Sequence, residues 1–399
     1  MTHSEAQEPE LNDQEALRPG ETGYRMYEDG TSPYSAKVRV YLHHKGIPYR
    51  RLRTSFVSYM DRIPKLVGFP ILPVVLAPDG AVLQDSTPIL EWLEARHPEP
   101  ACLPEDPRTA LLHWVIEDFA DEYLPRFSMH YRWGNELSRE TLSHRIARHM
   151  SHGVPGAQPQ QLAPGVLARQ SGFDAHLGFD ARSRADLDAQ LVELLTTLDA
   201  HFVHHAFLFG DRPSIADFAL YGHLFAHLYA DPFSMRLMEV HGPRTCNWLD
   251  VLTELGDARG AVGRSEFGAF LPFEDAVRAL SKLLSLVAST WVPLGAATAH
   301  ASVARDKSFV VSLRGVDSTF STHHYRAWAF EQVQARFDAL SADAKSDVEG
   351  ALGSAGDFGP LTRGPRLHNG LYDGLTPPIV VDGIGDNRVK HRRAKGSGA

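Results

Sequence analysis

The chain has 399 residues, 43% of them hydrophobic and 22% charged, with a formal net charge of −9. This balance suits a soluble globular protein of roughly two to three domains, and it argues against a nucleic-acid partner, which needs a basic surface. The two cysteines, Cys102 and Cys246, exclude a disulfide framework and fit a reducing compartment. No apolar run approaches the ~20 residues that span a bilayer, and the polar, acidic N-terminus lacks a signal-peptide pattern. The expectation is a cytoplasmic protein without a membrane partner.

Residues 1–22 are charged, poor in large apolar side chains and expected to be disordered. Tyr24 to Tyr27 then reads as a buried strand. After the turn at Asp29 and Gly30 comes Thr31-Ser32-Pro33-Tyr34-Ser35. Val38, Val40, Tyr41 and Leu42 fall on helical spacing and Gly46 stands where a helix would stop. Pro33 suits the first helical turn, where its missing N–H would be unpaired in any case. The Ser32 hydroxyl is thereby placed at the positive end of a helix, which favours an anion such as a thiolate.

Ile47 to Leu52 predicts a second strand, and Phe56 to Val67 a short helix. Val74–Leu76 and Ala81–Leu83 flank Pro78-Asp79-Gly80, a hairpin signal. Asp85-Ser86-Thr87, with Pro88 behind them, cap a helix carrying Ile89, Leu90, Trp92 and Leu93. The resulting β-α-β-(α)-β-β-α order is thioredoxin-like. An all-α region follows over 105–255: one helix from Ala110 to Arg132, another from Leu137, a long loop over Ser151–Phe179, and helices at Arg182–Phe202, Ile215–Tyr229 and Pro243–Leu255. From Gly256 the composition shifts. A linker to Gly268, an apolar helix at Phe273–Trp291, a strand at Ser308–Leu313 and a helix at Tyr325–Leu340 make up an extension of mixed, mostly helical character over 256–385. The chain reads as loop-rich after Gly350, and residues 386–399 as a disordered basic tail.

With these residues in place, the chain resembles the glutathione S-transferase family over roughly residues 24–255. Ser32-Pro33-Tyr34-Ser35, followed by Lys37-Val38-Arg39, is similar to the catalytic segment of zeta-like and omega-like members. Leu72-Pro73-Val74 resembles the cis-proline segment, whose backbone pairs with the cysteinyl part of glutathione. Gln84-Asp85-Ser86-Thr87 resembles the acidic-Ser motif that holds the γ-glutamyl carboxylate, with Asp85 where the family more often has Glu. Gly210 to Phe218 resembles the capping box of the central helix, with Ser214 and Asp217 as its two members. The resemblance implies a thioredoxin-like domain over 23–98 and an all-α domain over 105–255. It further implies a glutathione site built from Ser32, Tyr34, Leu72, Pro73, Asp85 and Ser86, with Ser32 catalytic, a small-molecule electrophile as second substrate, and a homodimer. Isomerisation, dehalogenation or ether cleavage by the same thiolate, and a noncatalytic scaffold of the same fold, are the alternatives.

Thr31 and Ser35 are neighbours that could share the role of Ser32, and Tyr34 reads more readily as packing than as a ligand contact. His201/His205 and His223/His227 are spaced four apart, but neither pair has the glutamate of a His-Glu-x-x-His motif or a cysteine cluster, so they read as packing and no metal is expected. Cys102 and Cys246 read as structural thiols. Phe119, Tyr123, Phe127, Tyr131 and Trp133 are mainly core, with some candidates for an apolar substrate site.

Overall fold

Tyr24–Glu28 forms strand β1, buried at every residue, and Ser32 caps the helix α1 that follows over Pro33–Lys45. The computed structural model describes residues 15–16, 23–68, 70–255 and 267–366. Gly46 closes α1 in the left-handed region at φ 64, as its position after the last apolar residue predicts. Strand β2 (Tyr49–Arg53), a π-helical turn at Ser58–Arg62, helix α2 (Ile63–Val67), strands β3 (Val74–Leu76) and β4 (Val82–Gln84) and helix α3 (Ser86–Arg96) complete the first half. The sheet order is β2-β1-β3-β4, with β1 and β2 parallel and the other pairings antiparallel. This is the thioredoxin-like α/β layout expected from the sequence.

The helical half comprises α4 (Pro107–Glu122), α5 (Pro125–Gly134), α6 (Glu136–Met150), α7 (Pro159–Ser171), α8 (Asp174–Leu177), α9 (Ala181–His201), α10 (Ile215–His223), a π-helical turn at Leu224–Tyr229, α11 (Pro232–His241) and α12 (Pro243–Glu254). The single helix expected over Ala110–Arg132 is two. Pro125 has no N–H to continue the ladder and its ring opposes the preceding turn, so the chain breaks at Tyr123 and Leu124. The long loop expected over Ser151–Phe179 carries α7 and α8 instead. Helix α10 closes directly on α1, and Gly222 permits it, because a methyl group there would stand 2.6 Å from Pro33 O.

The extension contains α13 (Phe273–Ala279), α14 (Ser281–Ala304), the hairpin β5 (Ser308–Leu313) and β6 (Val316–Ser321), α15 (His324–Asp338), α16 (Ala342–Ala355) and α17 (Gly359–Thr362). Strand β6 and most of helix α16 fall where no element was expected, and α16 runs past Gly350 to Ala355, into the stretch read as loop-rich. Helix α14 corrects the reading that no segment reaches bilayer length. Its 24 residues are long and apolar enough to cross one, and 67% of its most apolar window is buried against the rest of the protein. It packs on α4, α9, α15 and β5, as a core helix does. Disorder over 1–22 fails at Glu15, which is buried with its carboxylate bound by Tyr27 Oη at 2.7 Å and by the Arg62 guanidinium. The rest of that segment, the linker residues 256–266 and the tail 386–399 lie outside the described residues.

Candidate functional site

Register brings the three candidate segments to one end of the sheet. Tyr27 of β1 stands opposite Val74, the first residue of β3, and Val74 stands opposite Gln84, the last residue of β4. The exit of β1 toward Ser32, the Leu72–Pro73 entry to β3, and the Asp85–Ser86 exit from β4 therefore share an edge. The Leu72–Pro73 bond is cis, as expected.

Ser32 is half-buried. Its Oγ accepts the Ser35 N–H at 3.2 Å as the cap of α1, which leaves its own proton available to an incoming acceptor. The two neighbouring hydroxyls are committed elsewhere. Thr31 Oγ1 donates to Asp29 Oδ1 at 2.6 Å, and the fully buried Ser35 Oγ accepts the Asp29 N–H at 3.4 Å. Of the three hydroxyls, Ser32 alone combines partial exposure with a free proton.

Asp85 occupies the cap position of α3 at φ 65, ψ 126, and its side chain makes no cap hydrogen bond. A non-glycine residue held there costs about 1–3 kcal/mol and persists only where its surroundings impose it. Its carboxylate accepts from Gln84 Nε2 at 3.0 Å. Pro88 supplies no N–H, so the Ser86 and Thr87 amides are what α3 presents at its positive end. The Ser86 hydroxyl is engaged from below, donating to Asp121 Oδ2 at 3.1 Å and receiving Lys37 Nζ at 3.4 Å. Tyr34 packs into the domain interface. Its hydroxyl donates to Asp121 O at 3.1 Å, and its ring meets His223 edge-on at 5.2 Å.

Beneath this edge lies a buried charge cluster that periodicity alone does not reveal. Glu117, Asp118, Asp121 and Glu122 of α4 are all buried. Lys37 of α1, itself fully buried, forms ion pairs with Glu117 and, at 2.6 Å, with Asp121. Burial works against the Lys37 charge, but Asp121 and Glu117 outweigh it and raise its pKa. The next two carboxyls are met from the extension. Trp291 Nε1 donates to Asp118 Oδ2 at 2.8 Å and Arg326 Nε to Glu122 Oε2 at 3.2 Å. Burial, reinforced by Glu122, pushes the Asp118 carboxyl well above the usual range. A narrow cleft of about 20 Å³ remains, bordered by Thr87, Glu117 and Asp121 on one side and by Tyr325 and Trp328 on the other. The one available signal was a lysine inside the apolar run of α1 paired with acidic residues at i, i+4 on an apolar helix.

The aromatic candidates Phe119, Tyr123, Phe127, Tyr131 and Trp133 are all buried, in line with the reading of most of them as core. Cys102 and Cys246 are buried free thiols. His201 Nε2 lies 3.2 Å from Phe207 O, and His223 is buried with its pKa lowered to about 3 by desolvation and then by Lys37. Among the described residues no metal-ligand group is assembled.

Comparison with known proteins follows this division of the chain. Residues 31–96 match the glutathione S-transferase N-terminal domain, and residues 180–250 match the glutathione S-transferase C-terminal domain. Among solved structures the chain is similar to a glutathione S-transferase from Methylobacterium radiotolerans, in complex with glutathione sulfonate. Identity is 23% over 63% of this chain and 98% of that one, with a TM-score of 0.38. It is also similar to the beta-etherase LigF from Sphingobium sp. strain SYK-6, at 22% identity over 60% and 96% of the two chains, TM-score 0.43. A maleyl pyruvate isomerase, a bacterial glutathione S-transferase in Zeta class, is 22% identical over 58% and 95%, TM-score 0.33. No curated protein matches the chain.

Proposed function

From a chain whose residues 31–96 and 180–250 match the N- and C-terminal domains of glutathione S-transferases, we infer a glutathione transferase-like enzyme in which Ser32 holds the thiolate. The observation that carries this reading is the half-exposed Ser32 hydroxyl with a free proton at the α1 N-terminus, on the same sheet edge as Leu72–Pro73 and Asp85–Ser86. Ser32 O–H donates to the glutathione sulfur, and the α1 N-terminus adds positive potential. Both favour the charged form, so the thiol pKa falls from the ~8.5 of a free thiol toward neutrality. The backbone of Leu72 pairs with the cysteinyl unit. Asp85 and the Ser86 and Thr87 amides at the start of α3 hold the γ-glutamyl end, the Ser86 hydroxyl being spent on Asp121, and Pro73 turns the Leu72 backbone toward the ligand.

The thiolate then attacks an electrophilic carbon of a small apolar or aromatic molecule. A C–S bond forms, and the leaving group departs with its bonding electrons. Tyr34 stays outside this contact set, because its hydroxyl is spent on Asp121 O. The test is retention on immobilised glutathione followed by turnover of a reactive aryl halide. Ser32→Ala is expected to cut turnover about tenfold or more while the far-ultraviolet circular dichroism stays unchanged. Undiminished turnover in Ser32→Ala would reassign the role, and wild-type failure in both assays would favour a scaffold of the same fold.

A further inference from the structure

The loop that delivers Ser32 is held from outside its own domain. Thr31 has every polar group occupied. Its N–H and hydroxyl both donate to Asp29 Oδ1, at 2.8 and 2.6 Å, and its carbonyl accepts Arg132 Nη1 at 3.1 Å and His227 Nε2 at 3.1 Å. Asp29 is braced in turn by His149 Nδ1 at 2.9 Å, and Asp29 O receives the Ser32 N–H at 3.1 Å. Arg132 lies on α5, His149 on α6 and His227 in the π-helical turn after α10, so all three braces come from the helical half.

The two donors to Thr31 O are themselves fixed. Arg132 is buried and bidentate to Asp231, with Nε to Oδ2 at 2.6 Å and Nη2 to Oδ1 at 2.9 Å, and its Nη2 also meets Ala226 O at 2.9 Å. His227 is buried, with Arg132 and His223 as the charged or titratable groups beside it, and desolvation together with those neighbours keeps it neutral. Its Nδ1 has no partner, which suits the tautomer with the proton on Nε2, donated to Thr31 O. A carbonyl has two lone pairs, and here two immobile donors take both. The Thr31–Ser32 peptide plane, from which the Ser32 side chain hangs, is therefore set by the helical half.

The geometry assigns Arg132 and His227 as positioning residues for Ser32: the pair clamps the Thr31 carbonyl so that the hydroxyl points where a ligand thiolate is met. The functional half of this inference rests on the reading of Ser32 given above, whereas the clamp itself is testable without any thiol. Three variants separate the donors from the fold. His227→Leu removes one donor and His227→Gln restores an N–H of similar reach. Arg132→Gln combined with Asp231→Asn removes the other without stranding a buried charge.

Hydrogen exchange of the 29–36 peptide, measured on the ligand-free protein, is expected to quicken about tenfold in His227→Leu and in the double variant, and to return toward wild type in His227→Gln. Turnover of glutathione with an aryl halide is expected to fall about tenfold in kcat, with KM for glutathione little changed and the same rescue by Gln. Unchanged exchange in both donor-less variants would overturn the clamp whatever the kinetics. Faster exchange with undiminished kcat, in a series where Ser32→Ala is inactive, would overturn the positioning role. An active Ser32→Ala would remove the Ser32 reading and the positioning role with it, leaving the exchange data to decide the clamp alone.

Discussion

The Trp291 indole N–H donates to Asp118 Oδ2 at 2.8 Å across 173 residues of sequence, joining the extension to the first helix of the helical half. Helix α4 thus serves two partners from adjacent positions. Glu117 and Asp121 turn to Lys37 of the thioredoxin-like half, while Asp118 and Glu122 turn to Trp291 and Arg326 of the extension. Arg336 adds an ion pair to Glu91 on α3 and lies over the Trp114 ring at 4.2 Å. The extension is therefore built into the core, and α4 needs it to satisfy two buried carboxyls. Trp291→Phe keeps most of the apolar volume and strands Asp118, and should cost about 1–3 kcal/mol in denaturant unfolding. A loss below about 0.5 kcal/mol, the range of a neutral surface change, would contradict this account.

The same face gives a pH signature. Burial lifts the Glu122 carboxyl from 4.5 to about 7, with Arg326 opposing and Asp121 adding to the rise. A carboxyl whose pKa is raised on folding binds its proton more tightly in the folded state. Its stabilising contribution is thus complete below pH 4.5 and is lost as pH climbs through about 7. Asp217, raised from 3.8 to about 6 by burial, acts with the same sign over a lower window. Stability measured by urea unfolding should decline between these limits, and Glu122→Gln should flatten the upper part of the decline. An identical slope in wild type and variant would show that Glu122 does not titrate there.

How much of this was legible in sequence depended on whether the signal was local. The strand–turn–helix around Ser32, the hairpin at Pro78-Asp79-Gly80 and the Ser214–Asp217 box each announce themselves within a few residues, because caps and tight turns are satisfied by near neighbours. Helix α7 was missed because Gly, Pro and Gln around it read as loop. Yet Pro159 sits harmlessly in its first turn, and Val166 and Leu167 bury against Trp133, Leu142 and Ile146. The charge cluster and the Thr31 clamp were out of reach for another reason. Lys37 with Asp121, and His227 with Thr31, are separated by 84 and 196 residues, and a charged residue on an apolar helix signals a buried charge without naming its partner.

Lys37 offers a direct test of how the two halves are joined. Among the described residues its Nζ is the one cation paired with both Glu117 and Asp121, and it also touches Ser86 Oγ at 3.4 Å and Thr87 Oγ1 at 3.2 Å. Lys37→Met keeps the aliphatic stem and leaves two buried carboxylates uncompensated, an expected loss of about 3–5 kcal/mol. Combining it with Glu117→Gln and Asp121→Asn should recover most of that loss, since removing all members of a buried ionic set is far milder than removing one. Calorimetric unfolding of the single and triple variants decides the matter. A triple variant no more stable than Lys37→Met would mean that packing, not charge, sets the cost.

Asp217 does more than close a capping box. Its carboxylate accepts the Ser214 N–H at 3.0 Å and the Ser214 hydroxyl at 2.6 Å, and it also takes the Leu208 N–H at 2.9 Å and Trp248 Nε1 at 3.2 Å. One buried side chain thereby ties the start of α10 to the preceding loop and to α12. Ser214→Ala removes the cap of the Asp217 N–H and one of the four donors to the Asp217 carboxylate, and should cost about 1–2 kcal/mol. Asp217→Ala strands several buried donors, each worth about 1–3 kcal/mol when unmatched, and should cost about 3 kcal/mol or more. Asp217→Asn keeps one acceptor oxygen and should fall between the two. Chemical denaturation of the three variants checks the ranking, and equal losses in Ser214→Ala and Asp217→Ala would reduce Asp217 to an ordinary cap.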